Sequence, residues 1–91
     1  MSAKEMFEQL GYKCVLEINK HNLECVQISY EWQKDKYAKR KIIFFNDCFY
    51  ANLYQYDFEQ EKLVRVGGCS LNKDVFKAIH KQIEELGWLD E

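Results

Sequence analysis

Ninety-one residues, 47% hydrophobic and 31% charged, suffice for one modest core and are too apolar for a disordered chain. A net charge of −2 gives no global attraction to nucleic acid or to an anionic membrane. No apolar run follows Met1-Ser2-Ala3-Lys4-Glu5, and no stretch approaches the ~18–20 apolar residues of a membrane span. The expectation is a single soluble domain, residues 1–91, in the cytoplasm, with no membrane partner.

Cys14, Cys25, Cys48 and Cys69 are dispersed, with no C-x-x-C pair. A tight turn that supplies two thiolates holds a metal at small entropic cost, and this chain has none. Cys14, Cys25 and Cys48 fall within strand-like runs and read as small buried or half-buried apolar residues. Neither a metal nor a cofactor is expected.

In chain order, residues 2–10 carry a capping box, in which Ser2 meets the amide of Glu5 and Glu5 reaches back to Ser2. Ala3, Met6, Phe7 and Leu10 then share one helical face. Gly11 can take the left-handed conformation that ends the helix, leaving Tyr12 to fold back on Phe7. Residues 12–18 alternate, which places Tyr12, Cys14, Leu16 and Ile18 on one side of a strand. The segment Asn19-Lys20-His21-Asn22 reads as a hairpin turn into a second strand, 23–32. Val26, Ile28, Tyr30 and Trp32 line one side of it and Cys25, Gln27, Ser29 and Glu31 the other. Gln33 to Arg40 reads as a polar stretch leading to Ile42-Ile43-Phe44-Phe45.

Asn46-Asp47 suits a two-residue hairpin loop, because both residues tolerate positive φ. That turn sets Phe45 opposite Cys48, Phe44 opposite Phe49, Ile43 opposite Tyr50 and Ile42 opposite Ala51. Ile42, Phe44, Phe49, Ala51 and Leu53 form a wholly apolar face, the expected core. Lys39, Lys41, Ile43, Phe45, Cys48, Tyr50, Asn52, Tyr54 and Tyr56 form a mixed one. A loop over 57–62 precedes a last strand, Leu63–Val66. A second helix begins near Ser70 or Asn72, carries the stripe Leu71, Val75, Ile79, Ile83 and Leu86, and stops at Gly87 with Trp88 folded back. Lys73, Lys77 and Lys81 make a solvated row. The predicted architecture is α+β, order αβββββα, an antiparallel β-meander with two helices packed on one face.

Two helices, one of them short, cover one face of such a sheet but hardly both. The mixed face is therefore the candidate contact surface, with Lys41, Ile43, Phe45, Tyr50, Tyr54 and Tyr56 as contact residues. Tyrosine combines a large apolar body with a polar tip and few rotors to freeze. It also has high β-propensity, which makes an ordinary half-solvated sheet the competing reading. The function expected is non-enzymatic binding of a protein partner, and a homodimer through the same face is compatible with it. The alternative is a module for single-stranded nucleic acid or a small nucleotide signal, since Lys34, Lys36, Lys39, Arg40 and Lys41 precede the aromatic hairpin. Glu31 and Asp35 interrupt that cluster, and no R-G-F-like motif is present.

No catalytic constellation emerges. His21 lies in a turn and His80 on the last helix, both as surface residues. Glu84, Glu85, Asp90 and Glu91 oppose the dipole of that helix and read as a solubilising tail. Gly67-Gly68 lacks the other glycines and the lysine of a phosphate loop.

The segments Ser2-Ala3-Lys4-Glu5-Met6-Phe7-Glu8-Gln9-Leu10-Gly11-Tyr12 and Lys77-Ala78-Ile79-His80-Lys81-Gln82-Ile83-Glu84-Glu85-Leu86-Gly87-Trp88 carry a resemblance. They resemble the two ends of small uncharacterised proteins encoded by phages and prophages of Gram-positive bacteria. The resemblance implies a context in which such proteins inhibit a host protein by stoichiometric binding, including nucleases of CRISPR-type defence. It supplies no catalytic or binding residues.

Overall fold

The computed structural model describes residues 1–19 and 26–89. Of the turn expected at Asn19-Lys20-His21-Asn22, Asn19 ends the first strand instead, and residues 20–22 with His21 lie outside the described residues, as do residues 23–25 of the second strand with Cys25 and the carboxylates Asp90 and Glu91.

The order is α1 (Ala3–Gln9), β1 (Lys13–Asn19), β2 (Val26–Asp35), β3 (Ala38–Phe45), β4 (Cys48–Asp57), β5 (Lys62–Gly68) and α2 (Lys73–Glu85). The five strands form one antiparallel sheet in sequential order. This is the predicted α+β meander.

Both helices begin and end as their sequences dictate. Ser2 caps α1 in a reciprocal box: the Glu5 N–H donates to Ser2 Oγ over 3.1 Å, and the Ser2 N–H donates to Glu5 Oε1 over 3.2 Å. Donation from the Ser2 N–H, and then from the Ser2 hydroxyl, holds the Glu5 carboxyl below the usual carboxylate range. At its other end Gly11 takes φ +90°, and the Tyr12 N–H donates to the Phe7 carbonyl over 2.9 Å. The α2 terminus repeats the motif, with Gly87 at φ +73° and Trp88 N–H on the Ile83 carbonyl at 3.2 Å. Asn72, the second of the two expected caps, accepts from the N–H groups of Asp74 and Val75.

Phe7 stacks on Tyr30 with ring centroids 4.0 Å apart, and Tyr12, Phe44 and Trp88 close around these rings. Val75, Ala78 and Ile79 bring α2 onto Ile28, Tyr30, Ile42 and Phe44. All the strand residues in this core lie on one side of the sheet, the closed face. Two hydrogen bonds fix α2 beyond its apolar contacts. Tyr30 Oη donates to Gln82 Oε1 over 2.6 Å inside the core, and the Ala3 N–H donates to Glu85 Oε2 over 2.7 Å. Glu85 is thus a tie between the helices as well as a surface charge.

Asn46 and Asp47 both have positive φ, 54° and 63°, and the register of β3 on β4 is the predicted one from Phe45↔Cys48 to Ile42↔Ala51. Four expectations need correction. The ladder of β1 on β2 slips between Cys14 and Leu16, so that Val15 is the extra residue of a bulge. Leu16 and Ile18 then pair with Ser29 and Gln27, on the side opposite Cys14. The polar stretch 33–40 is a continuation of β2 to Asp35 and a start of β3 at Ala38, closed by a tight turn in which Asp35 Oδ1 accepts from the Tyr37 N–H. Phe49 sits on the closed face but is 40% exposed, because pairing of β4 with β5 begins only at Asn52 and, among the described residues, no strand flanks Phe49 on that side. Cys48 is exposed rather than half-buried, being the first residue after the turn.

Candidate interaction face

The registers give the open face a definite layout. Strand partners share a face, so reading across β1, β2, β3 and β4 yields rows. The first two rows are Ile18, Gln27, Phe45, Cys48 and then Leu16, Ser29, Ile43, Tyr50. Next comes Lys13, Glu31, Lys41, Asn52, and after it Gln33, Lys39, Tyr54 with Arg65 of β5. Tyr56 and Leu63 close the far end. The face is segregated: an apolar end, a charged band, and an aromatic tip.

The six predicted contact residues divide among these three zones. Ile43, Phe45 and Tyr50 stand in the apolar end. Tyr50 is 50% exposed and Phe45 37%, while Ile43 between them is half-buried. Leu16 and Ile18, 38% and 36% exposed, complete this patch. Sequence alternation sets both on the same side as Tyr12 and Cys14, and the Val15 bulge puts them here instead.

Lys41 and Tyr54 belong to the band. Glu31 Oε1 sits between two ammonium groups, 3.2 Å from Lys39 Nζ and 3.8 Å from Lys41 Nζ. Lys39 also lies over the Tyr54 ring, 5.2 Å from its centroid. Arg65 Nε donates to Asn52 Oδ1 over 3.0 Å. These contacts orient the cations but leave an excess of positive charge. Tyr56 stands apart at the tip, edge-on to Tyr37 at 5.6 Å and to Phe58 at 5.0 Å.

Both sheet edges are blunted. The β1 edge carries the Val15 bulge, and β5 slips against β4 between Leu53 and Tyr54, which makes Val66 the extra residue. Bulges twist an edge away from further strand pairing. The open face is the broad surface of the sheet that neither helix packs against.

Other features carry less chemistry. A cleft of about 330 Å³ between the helices is lined by Met1, Met6, Gln9, Leu10, Asp74 and Lys77, which include no nucleophile with a base beside it. His80 is exposed and pairs with Glu84 at 3.4 Å, one helical turn away. Among the described residues no group of three or more His, Cys, Asp or Glu could hold a metal ion, and no helix is long and apolar enough to cross a membrane. Burial pushes the Tyr30 hydroxyl far up, with Cys14 and Glu17 adding to it. Burial and then Cys69 push Tyr12 up, against the lowering effect of Arg40. Both tyrosines belong to the closed face, where they serve packing.

The fold and its layout define a class, an α+β meander with one helix-covered and one open face. Comparison of the chain with family models, with curated proteins and with solved structures finds no match.

Proposed function

We propose that this chain is a non-enzymatic binding protein that seats a protein partner on the open face of its sheet. The supporting observation is the apolar patch of Leu16, Ile18, Phe45 and Tyr50, exposed around a half-buried Ile43 at the end of a face that neither helix packs against. Clustered aromatic and aliphatic side chains of this kind form the anchors of protein interfaces, and such clusters are uncommon on a surface with no partner. In the phage context that the terminal segments imply, the partner is a host protein such as a defence nuclease. The activity is then inhibition by occupancy, without turnover.

A pull-down from host lysate with tagged protein, with and without nuclease treatment, tests the proposal. A single protein held near one-to-one after nuclease treatment is the expected result. Captures that vanish with nuclease would move the function to nucleic acid. A tagged chain that retains only its own untagged copies would make the face a homodimer interface.

A further inference from the structure

The open face has a polarity that the composition of the chain conceals. Across its described residues stand four cations, Lys13, Lys39, Lys41 and Arg65, against one carboxylate, Glu31, a net of +3 in a chain whose total is −2. The remaining residues are correspondingly acidic. This positive excess is confined to the band that adjoins the apolar end: Lys41 is two residues from Ile43 on the same strand, about 7 Å away along it.

Resting on the open-face reading, we infer that the partner is a protein segment that presents Asp or Glu side chains immediately beside its apolar anchors. Aliphatic or aromatic groups fill the patch around Ile43, Phe45 and Tyr50, while carboxylates meet Lys41, Lys39 and Arg65. Glu31 is already shared by two ammonium groups at 3.2 and 3.8 Å, so it cannot neutralise both. The hydrogen bond from Arg65 Nε to Asn52 orients the guanidinium, whose terminal nitrogens form the fork that a carboxylate fits. Two other occupants fit less well. A second copy would bring a band of the same sign toward this one. A nucleic acid strand could stack bases on Phe45 and Tyr50, but the same end of the face is built as much from the aliphatic Leu16, Ile18 and Ile43, which offer no ring and suit apolar side chains.

The test selects a random-peptide display library on the immobilised full chain and measures the enriched peptides by fluorescence anisotropy. Expected are peptides with Asp or Glu flanking an apolar core, whose affinity falls about tenfold on Lys41→Glu plus Arg65→Glu and falls again as salt rises from about 50 to about 300 mM. Their binding should also be lost on Phe45→Ser plus Tyr50→Ala, with circular dichroism confirming that both double variants fold. Peptides that need Phe45 and Tyr50 but show no acidic excess would overturn the inference and leave the open-face reading standing. Peptides indifferent to Phe45 and Tyr50, or no enrichment at all, would overturn both. Tighter binding of an oligo-dT strand than of any peptide would show that the cations read phosphate, against the inference.

Discussion

The hydrogen bond from Tyr30 to Gln82 joins the middle of the sheet to α2, and its energetics follow from its surroundings. The pair spans 2.6 Å, and both residues are almost fully buried. Tyr30→Phe leaves Gln82 Oε1 without its donor, and Gln82→Met leaves the Tyr30 hydroxyl without its acceptor. Either orphaned group costs about 2 kcal/mol, which for a domain of this size is roughly 8–16 °C in Tm. Removing both polar groups together should cost much less than the sum of the two changes. A double-mutant cycle by urea denaturation should therefore give a coupling of about 1–2 kcal/mol. Additive losses would show that the bond contributes nothing beyond packing. The same tyrosine makes stability sensitive to alkali. Burial raises its pKa above the unfolded value, so its contribution is complete below pH ~10 and is lost as pH rises toward the higher folded value. The urea midpoint of the wild-type chain should fall more steeply above pH ~10 than that of Tyr30→Phe. Parallel curves would refute the assignment.

Three further substitutions test local features. Gly11→Ala forces a side chain into φ +90° with its Cβ 3.1 Å from the Trp32 ring, and a loss of about 1–2 kcal/mol in chemical denaturation is expected. Ser29 is 1% exposed, and its Oγ has no hydrogen-bond partner among the described residues, so Ser29→Ala should leave stability unchanged or raise it by about 1 kcal/mol. Asp47 sits at φ +63° in a two-residue hairpin loop, where Asp47→Gly should raise Tm by a few degrees, about 0.5 kcal/mol.

The order of elements was legible because each boundary carries its own chemistry. Ser2 with Glu5 starts the first helix, Gly11 and Gly87 end the two helices, and Asn46-Asp47 sets the register of the central hairpin. The bulge in β1 was not legible. Cys14, Val15 and Leu16 are all apolar, so the run supports either phase of alternation, and only pairing with β2 decides between them. The turn at Lys36-Tyr37 carries no strong sequence signal, because it has neither glycine nor proline and relies on the Asp35 side chain. For the candidate site, Ile43, Phe45, Tyr50, Tyr54 and Tyr56 were correctly placed on one face with Lys41. Their division into three zones, and the membership of Leu16 and Ile18, depends on lateral registers that no single strand encodes. The positive band depends on the same registers, which bring Lys13 and Arg65, distant along the chain, beside Lys39 and Lys41, while Asp35 falls on the closed side opposite Ala38.

The measurement closest to the central claim compares two matched surface variants in the same quantitative pull-down. Phe45→Ser plus Tyr50→Ala alters the apolar end of the open face. Phe76→Ser removes a phenylalanine of α2 that is 59% exposed on the opposite side of the molecule. With melting curves confirming that both fold, the first should lose the partner that the wild-type chain holds and the second should keep it. Equal retention by both, or loss only with Phe76→Ser, would contradict the assignment of function to the open face.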